Sequence, residues 1–233
     1  MLKSVDYSWL DFEKLITEVA KDDKISSVLE IGAGANPFFS DQQVEALKLE
    51  YTILDIDPLE LQKATTAKST RVVHDLSIEP LSQKFDLIFS QMLLEHLNDP
   101  MSFHQNILSM MKPESIVCHF FATKYGLPSL LNLLLPSRLS NFIVYKLQKR
   151  DPIDHGKFKA YYKKCTGPLK STISWFDSIG YKVLSFDGYL GHSYLGSIKW
   201  LHEIEKLYCL IIRKINNPYF SSNAILVMKS KQK

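Results

Sequence analysis

Acidic residues and glycines stand at the ends of short apolar runs in this chain, where they could hold a small ligand. Glu30 precedes the glycine pair Gly32 and Gly34, and Asp55 and Asp75 end two later runs. An ionised carboxylate accepts hydrogen bonds from hydroxyl groups. A glycine lets the main chain turn sharply and lie against a bound molecule where a Cβ would collide. The combination predicts a ligand site at the ends of these runs, where the glycine turn contacts the ligand.

The roles of the individual acids stay open at this level. Asp57 could bind the hydroxyls in place of Asp55, or it could cap the helix that begins near Pro58. Glu30 could contact the ligand, or it could order the glycine turn by accepting main-chain N–H bonds. The turn continues as Gly34-Ala35-Asn36-Pro37 and lacks the last glycine of the dinucleotide pattern G-x-G-x-x-G. That absence counts against a nicotinamide enzyme.

These residues fall where the strands of a parallel sheet would end. Strands are predicted at residues 28–31, 51–54, 71–75, 85–90 and 115–121. Helices are predicted over 11–21, after an N-cap at Asp41, near Pro58, and over 102–111, where Lys112-Pro113 ends the helix. A helix over 169–179 ended by Gly180, a strand over 181–186, a helix over 193–214 and a strand over 223–228 complete the pattern. This alternation predicts right-handed crossovers and a parallel sheet, whose carboxyl ends bind ligands.

Five short motifs follow these strands in order. They are Glu30–Gly34, Leu54–Asp57, His74–Leu76, Phe85–Ser90 with Leu94–His96, and Met111–Pro113. In these motifs the chain resembles the class I S-adenosylmethionine-dependent methyltransferases over nearly its whole length. The resemblance implies an α/β fold, a three-layer αβα Rossmann-like sandwich with a mostly parallel seven-stranded sheet and an antiparallel last strand. We expect one methyltransferase domain over residues 1–233, with a helical lid for the acceptor at 124–167.

The resemblance also implies which residues bind S-adenosylmethionine and its product, S-adenosylhomocysteine. Asp55 is expected at the ribose hydroxyls, Asp75 and Leu76 at the adenine, and Ser90 and Gln91 at the methionine end. The full expected set is Glu30, Gly32, Ala33, Gly34, Asn36, Asp55, Ile56, Asp75, Leu76, Ser90, Gln91 and Met92.

Methyl transfer from a sulfonium is an in-line displacement, so the protein chiefly has to orient the acceptor. An alcohol acceptor must also lose its proton, and histidine is the side chain whose ordinary pKa lies near neutral pH. The candidate bases are His96, His119, His155 and His192. The expected catalytic set is His96, His155 and Tyr161. The alternatives are that His96 is hydrogen-bonded within its own loop and that His155 lies on the surface.

Composition and charge are those of a globular protein with two unlike halves. The chain has 233 residues, 45% of them hydrophobic, which is enough for one sizeable core. Residues 1–123 hold 10 Lys and Arg against 19 Asp and Glu, whereas residues 124–233 hold 18 against 6. Cys118, Cys165 and Cys209 lie far apart and suggest neither a disulfide framework nor a metal site. Because no long apolar run follows Met1, we expect a cytoplasmic protein, or one bound peripherally at the inner membrane face.

The basic second half indicates the kind of acceptor. Lysines and aromatic residues interleave between His155 and Lys170, a mixture that suits phosphate beside a flat or sugar ring, unless it is a solvated helix face. The apolar stretch 127–136 could lie in a membrane interface or form a lid on its own domain. Residues 121–128 and 151–158 also resemble a subgroup of small bacterial-type methyltransferases found with polysaccharide and secondary-metabolite pathways. This resemblance implies O-methylation of a sugar, a glycolipid or a related small metabolite, and the acceptor could be anionic or lipid-linked.

Two other functions stay open at this level. One is an RNA methyltransferase, which the modest net charge and the lack of a separate nucleic-acid-binding module disfavour. The other is a non-catalytic subunit that binds the cofactor for a partner. The sequence does not choose between a monomer and a homodimer.

Overall fold

Strands and helices alternate to form one sheet that is covered on both faces. The computed structural model describes residues 2–134, 159–191 and 199–231. The strands are β1 (Lys3–Ser4), β2 (Ser27–Ile31), β3 (Glu50–Asp55), β4 (Thr70–Val73), β5 (Phe85–Gln91), β6 (Met111–Ala122), β7 (Tyr181–Leu190) and β8 (Asn223–Ser230). The α-helices are α1 (Ser8–Ala20), α2 (Asp41–Ala46), α3 (Pro58–Gln62), α4 (Pro100–Ser109), α5 (Leu127–Leu134), α6 (Lys170–Ile179) and α7 (Lys199–Ile215).

The sheet reverses its strand order next to β2. The order is β1-β7-β8-β6-β5-β2-β3-β4. Every neighbouring pair is parallel except the two made by β8, which runs antiparallel to β6 and β7. From β2 the chain builds outward to β3 and β4 and then returns to add β5 on the other side. In open α/β sheets such a reversal opens a crevice at the carboxyl ends of the strands, and ligands bind there.

This architecture confirms the predicted Rossmann-like sandwich with its antiparallel strand. The sheet has eight strands rather than the seven expected. The additional strand is β1, in which Lys3 and Ser4 pair with Tyr189 and Leu190. Two residues are too few to show a strand periodicity in the sequence.

Each face of the sheet has its own hydrophobic core. On one face, Phe12 of α1 packs with Phe89 of β5, and α2 and α3 also contribute to this core. On the other face, Phe103 of α4 and Phe176 of α6 pack against Tyr181 of β7. The helices therefore cover the two faces of the sheet, and the carboxyl ends of the strands lie between the two helical layers.

Lys112-Pro113 lies inside β6 instead of ending a helix as predicted. α4 ends at Ser109, and β6 begins at Met111. The pairing of β5 with β6 jumps from Phe85–Met111 to Leu87–Ile116, which is an irregularity in the ladder. Because proline has no N–H to donate, a strand accommodates it at such a place.

The cap of α2 is Ser40 rather than the predicted Asp41. The Ser40 hydroxyl accepts the Gln43 N–H, and the Gln43 side chain accepts the Ser40 N–H, which completes a capping box. The Asp41 carboxylate instead accepts the N–H groups of Ala67 and Lys68. Asp41 thus fastens the loop before β4.

The region after β6 is described only in part. α5 begins inside the predicted insertion, whereas residues 135–158 lie outside the described residues. α7 covers the described part of the helix predicted over 193–214. Within the described ranges, no helix is both long and apolar enough to cross a membrane.

Candidate active site

The glycine turn after β2 is held by hydrogen bonds to the end of β3. Gly32 and Gly34 have φ angles of +73° and +51°, which side chains disfavour. The Gly32 N–H donates to the Leu54 carbonyl at 2.7 Å, and the Gly34 N–H donates to Asp55 Oδ2 at 2.9 Å. A Cβ on Gly32 would lie 3.1 Å from Leu93 Cδ1. The turn therefore requires glycine at both positions and lies directly against Asp55.

Asp55 presents two carboxylate oxygens that each hold one main-chain hydrogen bond. Oδ2 accepts the Gly34 N–H, and Oδ1 accepts the Asp57 N–H, both at 2.9 Å. A carboxylate oxygen has two acceptor positions, so each can take one more donor. Two neighbouring hydroxyls, as on a ribose, match this arrangement. The Asp57 carboxylate is used otherwise, because it caps α3 by accepting the Leu59 N–H at 2.8 Å.

Glu30 is a buried carboxylate held by neutral donors. Oε2 accepts the Phe38 N–H at 2.9 Å and the Tyr51 hydroxyl, and Oε1 accepts the Gln91 amide at 3.3 Å. Burial raises the pKa of Glu30 to about 7, against the opposing effect of these hydrogen bonds. Burial and the charge of Glu30 also raise the pKa of Tyr51. Glu30 thus ties the segment after the glycine turn to β3 and β5.

Several other residues expected at the cofactor lie on the carboxyl edge of the sheet. Asp75 follows β4, and Ile56, which follows β3, is exposed. Gln91 ends β5, and Met92 turns the chain there with a φ of +48°. Asn36 and Gln91 both line the pocket described below.

Ser90 was expected at the methionine end, but its side chain points into the core. Its Oγ lies 2.8 Å from His119 Nδ1, and both side chains are fully buried. Burial also lowers the pKa of His119 to about 3, so this candidate base is inaccessible to an acceptor. Ala33 and Leu76 likewise have buried side chains. A cofactor contact from these three expected residues would have to use the main chain.

An open pocket of about 260 Å³ lies beside the glycine turn. Its lining residues are Trp9, Glu13, Asn36, Phe38, Gln43 and Gln91. Two aromatic rings, three amides and one carboxylate supply flat surfaces together with hydrogen-bond donors and acceptors. Among the described residues that line it, none is Lys or Arg. This chemistry suits a neutral molecule with hydroxyl groups better than a phosphate.

His96 has a defined tautomer. It ends the 3₁₀ helix Leu94–His96 that follows β5, and its Nδ1 lies 3.0 Å from the Lys159 carbonyl. A carbonyl only accepts, so Nδ1 carries the proton and Nε2 carries the lone pair of the neutral ring. Burial lowers the pKa of His96 below its usual value. This burial favours the neutral ring, which is the form that a general base requires.

The loop that carries Lys159 and Tyr161 is hydrogen-bonded to Glu95, the residue before His96. The N–H groups of Tyr161 and Tyr162 donate to the Glu95 carbonyl at 2.7 and 3.0 Å. The Glu95 carboxyl is buried, which raises its pKa to about 7. His155, the third residue of the expected catalytic set, lies outside the described residues, as does His192.

The basic and aromatic residues of this loop are not a solvated helix face in the part that is described. Residues 159–169 form no helix, and Tyr162 belongs to a hydrophobic core. Lys163 Nζ donates to the Asn98 carbonyl at 2.8 Å, and Lys164 Nζ lies 5.4 Å from the Trp175 ring. These lysines therefore contact the protein itself.

The family follows from a comparison with known domains. A family model described as a methyltransferase domain matches residues 5–140, more than half of the chain. The chain belongs to this methyltransferase family. Membership confirms the resemblance found in the sequence and supports S-adenosylmethionine as the cofactor of this methyltransferase.

Solved methyltransferase structures share the fold at low sequence identity. Phosphoethanolamine N-methyltransferase 2 of Haemonchus contortus, in complex with S-adenosyl-L-methionine, is 14% identical with a TM-score of 0.59, and the match covers 96% of this chain and 53% of that one. N-methyltransferase NodS from Bradyrhizobium japonicum is 12% identical with a TM-score of 0.56, covering 98% and 99%. A methyltransferase from Archaeoglobus fulgidus is 18% identical with a TM-score of 0.54, covering 94% of each chain. No curated protein sequence matches significantly.

Four pocket residues of this methyltransferase were not identified from the sequence. They are Trp9, Glu13, Phe38 and Gln43. The sequence pattern of α1 predicts a helix that covers the sheet, and this gives no sign of which polar residues border the crevice. The available signal was the spacing of Trp9 and Glu13, which places them one turn apart on the same side of α1.

Proposed function

We propose that this methyltransferase O-methylates a neutral, hydroxylated small molecule, such as a sugar or the sugar of a glycolipid. The lining of the pocket beside the glycine turn carries this proposal. Trp9 offers a ring face for stacking, and the Gln43 amide and the Glu13 carboxylate offer partners for hydroxyls. An anionic acceptor group fits less well, because Glu13 is the only charged residue among the described residues of this lining.

The residues after β2 and β3 fit S-adenosylmethionine. Asp55 has one open acceptor position on each oxygen for the two ribose hydroxyls, and Gly34 leaves the space beside it free of a side chain. Asp75 is proposed at the adenine amino group, and Gln91 at the methionine end. When bound, the cofactor supplies a methyl group already activated on a sulfonium.

Proton removal is assigned to His96 and acceptor binding to Glu13 and Trp9. The Nε2 lone pair of His96 accepts the proton of the acceptor hydroxyl as its oxygen attacks. Tyr161, whose N–H donates to the Glu95 carbonyl, is proposed to orient the acceptor. His155 keeps its proposed place in the catalytic set.

A transfer assay with labelled S-adenosylmethionine tests the function. Neutral glycosides, glycolipids and RNA are offered separately, and we expect label in the methyl ethers of glycosides or glycolipids. Label in RNA, or no transfer to any hydroxylated acceptor by protein that binds the cofactor, would overturn the proposal.

Two variants separate the assigned roles. His96→Ala should lower kcat by about 10²- to 10⁴-fold with little change in acceptor KM. Glu13→Gln should raise acceptor KM about tenfold and leave kcat nearly unchanged. Since burial lowers the pKa of His96, the loss of wild-type activity at low pH should begin below the ordinary pKa of histidine. His96→Gln should remove this acid limb, and a variant that retains it would exclude His96 as the base.

A further inference from the structure

One side of α7 is aliphatic and exposed. The exposed residues are Ile204, Leu207, Leu210, Ile211 and Ile215, which are 50% to 63% exposed. They recur every three or four residues and therefore share one side of the helix. We call this side the α7 stripe. The helix is anchored to the domain elsewhere, because Ile212 packs with Leu2 and Leu190.

Cations border the α7 stripe. Lys206, Arg213 and Lys214 are all exposed. Of the two acids on α7, Glu203 pairs with Lys206 at 2.9 Å, and Glu205 is buried. The described surface of α7 is therefore aliphatic with a net positive charge.

Tyr219, four residues after the end of α7, belongs to a stacked pair of tyrosines. The Tyr219 ring stacks on Tyr125 with centroids 4.1 Å apart, and Lys124 Nζ lies 5.5 Å from the Tyr125 ring. Tyrosines, with an apolar ring and a polar hydroxyl, are enriched at membrane–water interfaces. Lysines beside them can reach lipid phosphates.

We propose that α7 lies in the surface of an anionic lipid bilayer. The α7 stripe contacts the acyl chains, and Arg213 and Lys214 contact the headgroup phosphates. An amphipathic helix with an aliphatic face and Lys or Arg beside it binds bilayers in this orientation. A second copy of the chain fits less well, because any two-fold pairing of α7 would bring two net positive surfaces together.

The position of α7 relates this surface to the pocket. Gly191 lies close to both the N-terminal segment and α7. A Cβ built on it would be 3.3 Å from Val5 Cγ1 and 3.6 Å from Sγ of Cys209, a residue of α7. The helix α7 therefore lies beside the N-terminal segment. Trp9, four residues after Val5, lines the pocket. The inference of bilayer binding does not rest on the proposed function.

Flotation of the full chain with lipid vesicles tests the docking. The vesicles contain phosphatidylcholine alone or phosphatidylcholine with about one third phosphatidylglycerol, and we expect flotation with the anionic vesicles. Leu207→Glu/Ile211→Glu should reduce the bound fraction about tenfold or more. Arg213→Gln/Lys214→Gln should reduce partitioning about 25-fold, since each cation near an anionic surface contributes roughly a factor of five. Leu184→Glu, at an exposed apolar position of β7, is the matched control and should float like the wild type.

Two results would overturn the docking. One is wild-type protein that does not float with anionic vesicles. The other is a dimer in light scattering that Leu207→Glu/Ile211→Glu dissociates, which would assign the α7 stripe to a second copy. S-adenosylmethionine affinity is measured on the same variants and should not change. A failure of docking is therefore distinguishable from a failure of the proposed function.

Discussion

Two carboxylates at opposite edges of the sheet are held in different ways. At the amino edge, Asp86 Oδ2 accepts the Lys112 ammonium at 2.9 Å and the N–H and hydroxyl groups of Ser26 and Ser27. Burial alone would raise the pKa of Asp86, but Lys112 and the two serines hold it well below its usual range. At the carboxyl edge, Glu30 has neutral donors only, and burial raises its pKa to about 7.

The two carboxylates differ in their partners, which include a lysine at the amino edge and are neutral groups at the carboxyl edge. Asp86 and Lys112 neutralise each other and join the first residues of β2, β5 and β6. In the described parts of the chain, no Lys or Arg forms an ion pair with Glu30 or Asp55. Acceptor positions on Asp55 consequently stay available to a ligand.

Glu30→Ala should have the largest effect on stability. The change leaves the Phe38 N–H and the Tyr51 hydroxyl without their buried acceptor, which costs about 3–5 kcal/mol of unfolding free energy. It should also weaken S-adenosylmethionine binding at least tenfold, because the turn loses its tie to β3 and β5. Urea unfolding and calorimetry measure the two effects. Unchanged cofactor affinity would show that Glu30 does not contribute to cofactor binding.

Asp86→Ala should cost less stability and leave the cofactor site intact. Loss of the charge-assisted bonds to Lys112 should lower the unfolding free energy by about 2–3 kcal/mol. S-adenosylmethionine affinity should stay within about threefold of the wild type. A large loss of S-adenosylmethionine affinity in Asp86→Ala would show that the amino edge also contributes to the cofactor site.

The two carboxylates should respond to pH with opposite signs. Glu30 keeps its proton to about pH 7 when folded, although its ordinary pKa is 4.5. Its contribution to stability is therefore lost as pH rises through this window, by about 2 kcal/mol between pH 5 and pH 8. The pKa of Asp86 is lowered from 3.8, so its contribution is present above that pH and lost as pH falls below it.

The comparison of wild type with Glu30→Gln and with Asp86→Asn isolates each contribution. The difference in unfolding free energy between wild type and Glu30→Gln should shrink from pH 5 to pH 8. The corresponding difference between wild type and Asp86→Asn should shrink from pH 4 to pH 2. Two differences that shrink in the same direction would contradict the assignment.

The ligand site at the carboxyl edge could be predicted from the sequence better than the contacts at the amino edge. The reason is the separation along the chain of the residues that form each feature. The glycine turn and Asp55 are recognised from residues adjacent in the chain. Glu30 is joined to Tyr51 and Gln91, 21 and 61 residues away, and nothing local shows whether such an acid binds a ligand or a neighbouring strand. Lys112 is likewise 26 residues from Asp86.

Other features depended on choices that the sequence does not make. Ser40 and Asp41 are both good capping residues, and the reciprocal bond with Gln43 selects Ser40. The basic and aromatic pattern around Tyr162 indicated a surface, whereas its fold buries that ring. The pocket depends on the rotation of α1 over the sheet, which fixes where Trp9 points.

Asp57→Ala should have the smallest effect. Loss of the α3 cap should lower the unfolding free energy by about 1 kcal/mol and leave S-adenosylmethionine affinity within about threefold. Thermal unfolding and calorimetry test both points. A loss of affinity comparable to that of Asp55→Ala would give Asp57 the ribose role.

The most direct test of the cofactor site compares S-adenosylhomocysteine with its 2′,3′-dideoxy analogue by calorimetry. Wild-type protein should bind the natural ligand about 100-fold more tightly, because Asp55 accepts both hydroxyls. Asp55→Ala should bind the two ligands within about threefold of each other, and Asp57→Ala should discriminate like the wild type. Equal discrimination by wild type and Asp55→Ala, or no binding of S-adenosylhomocysteine by the wild type, would contradict a ribose site at Asp55.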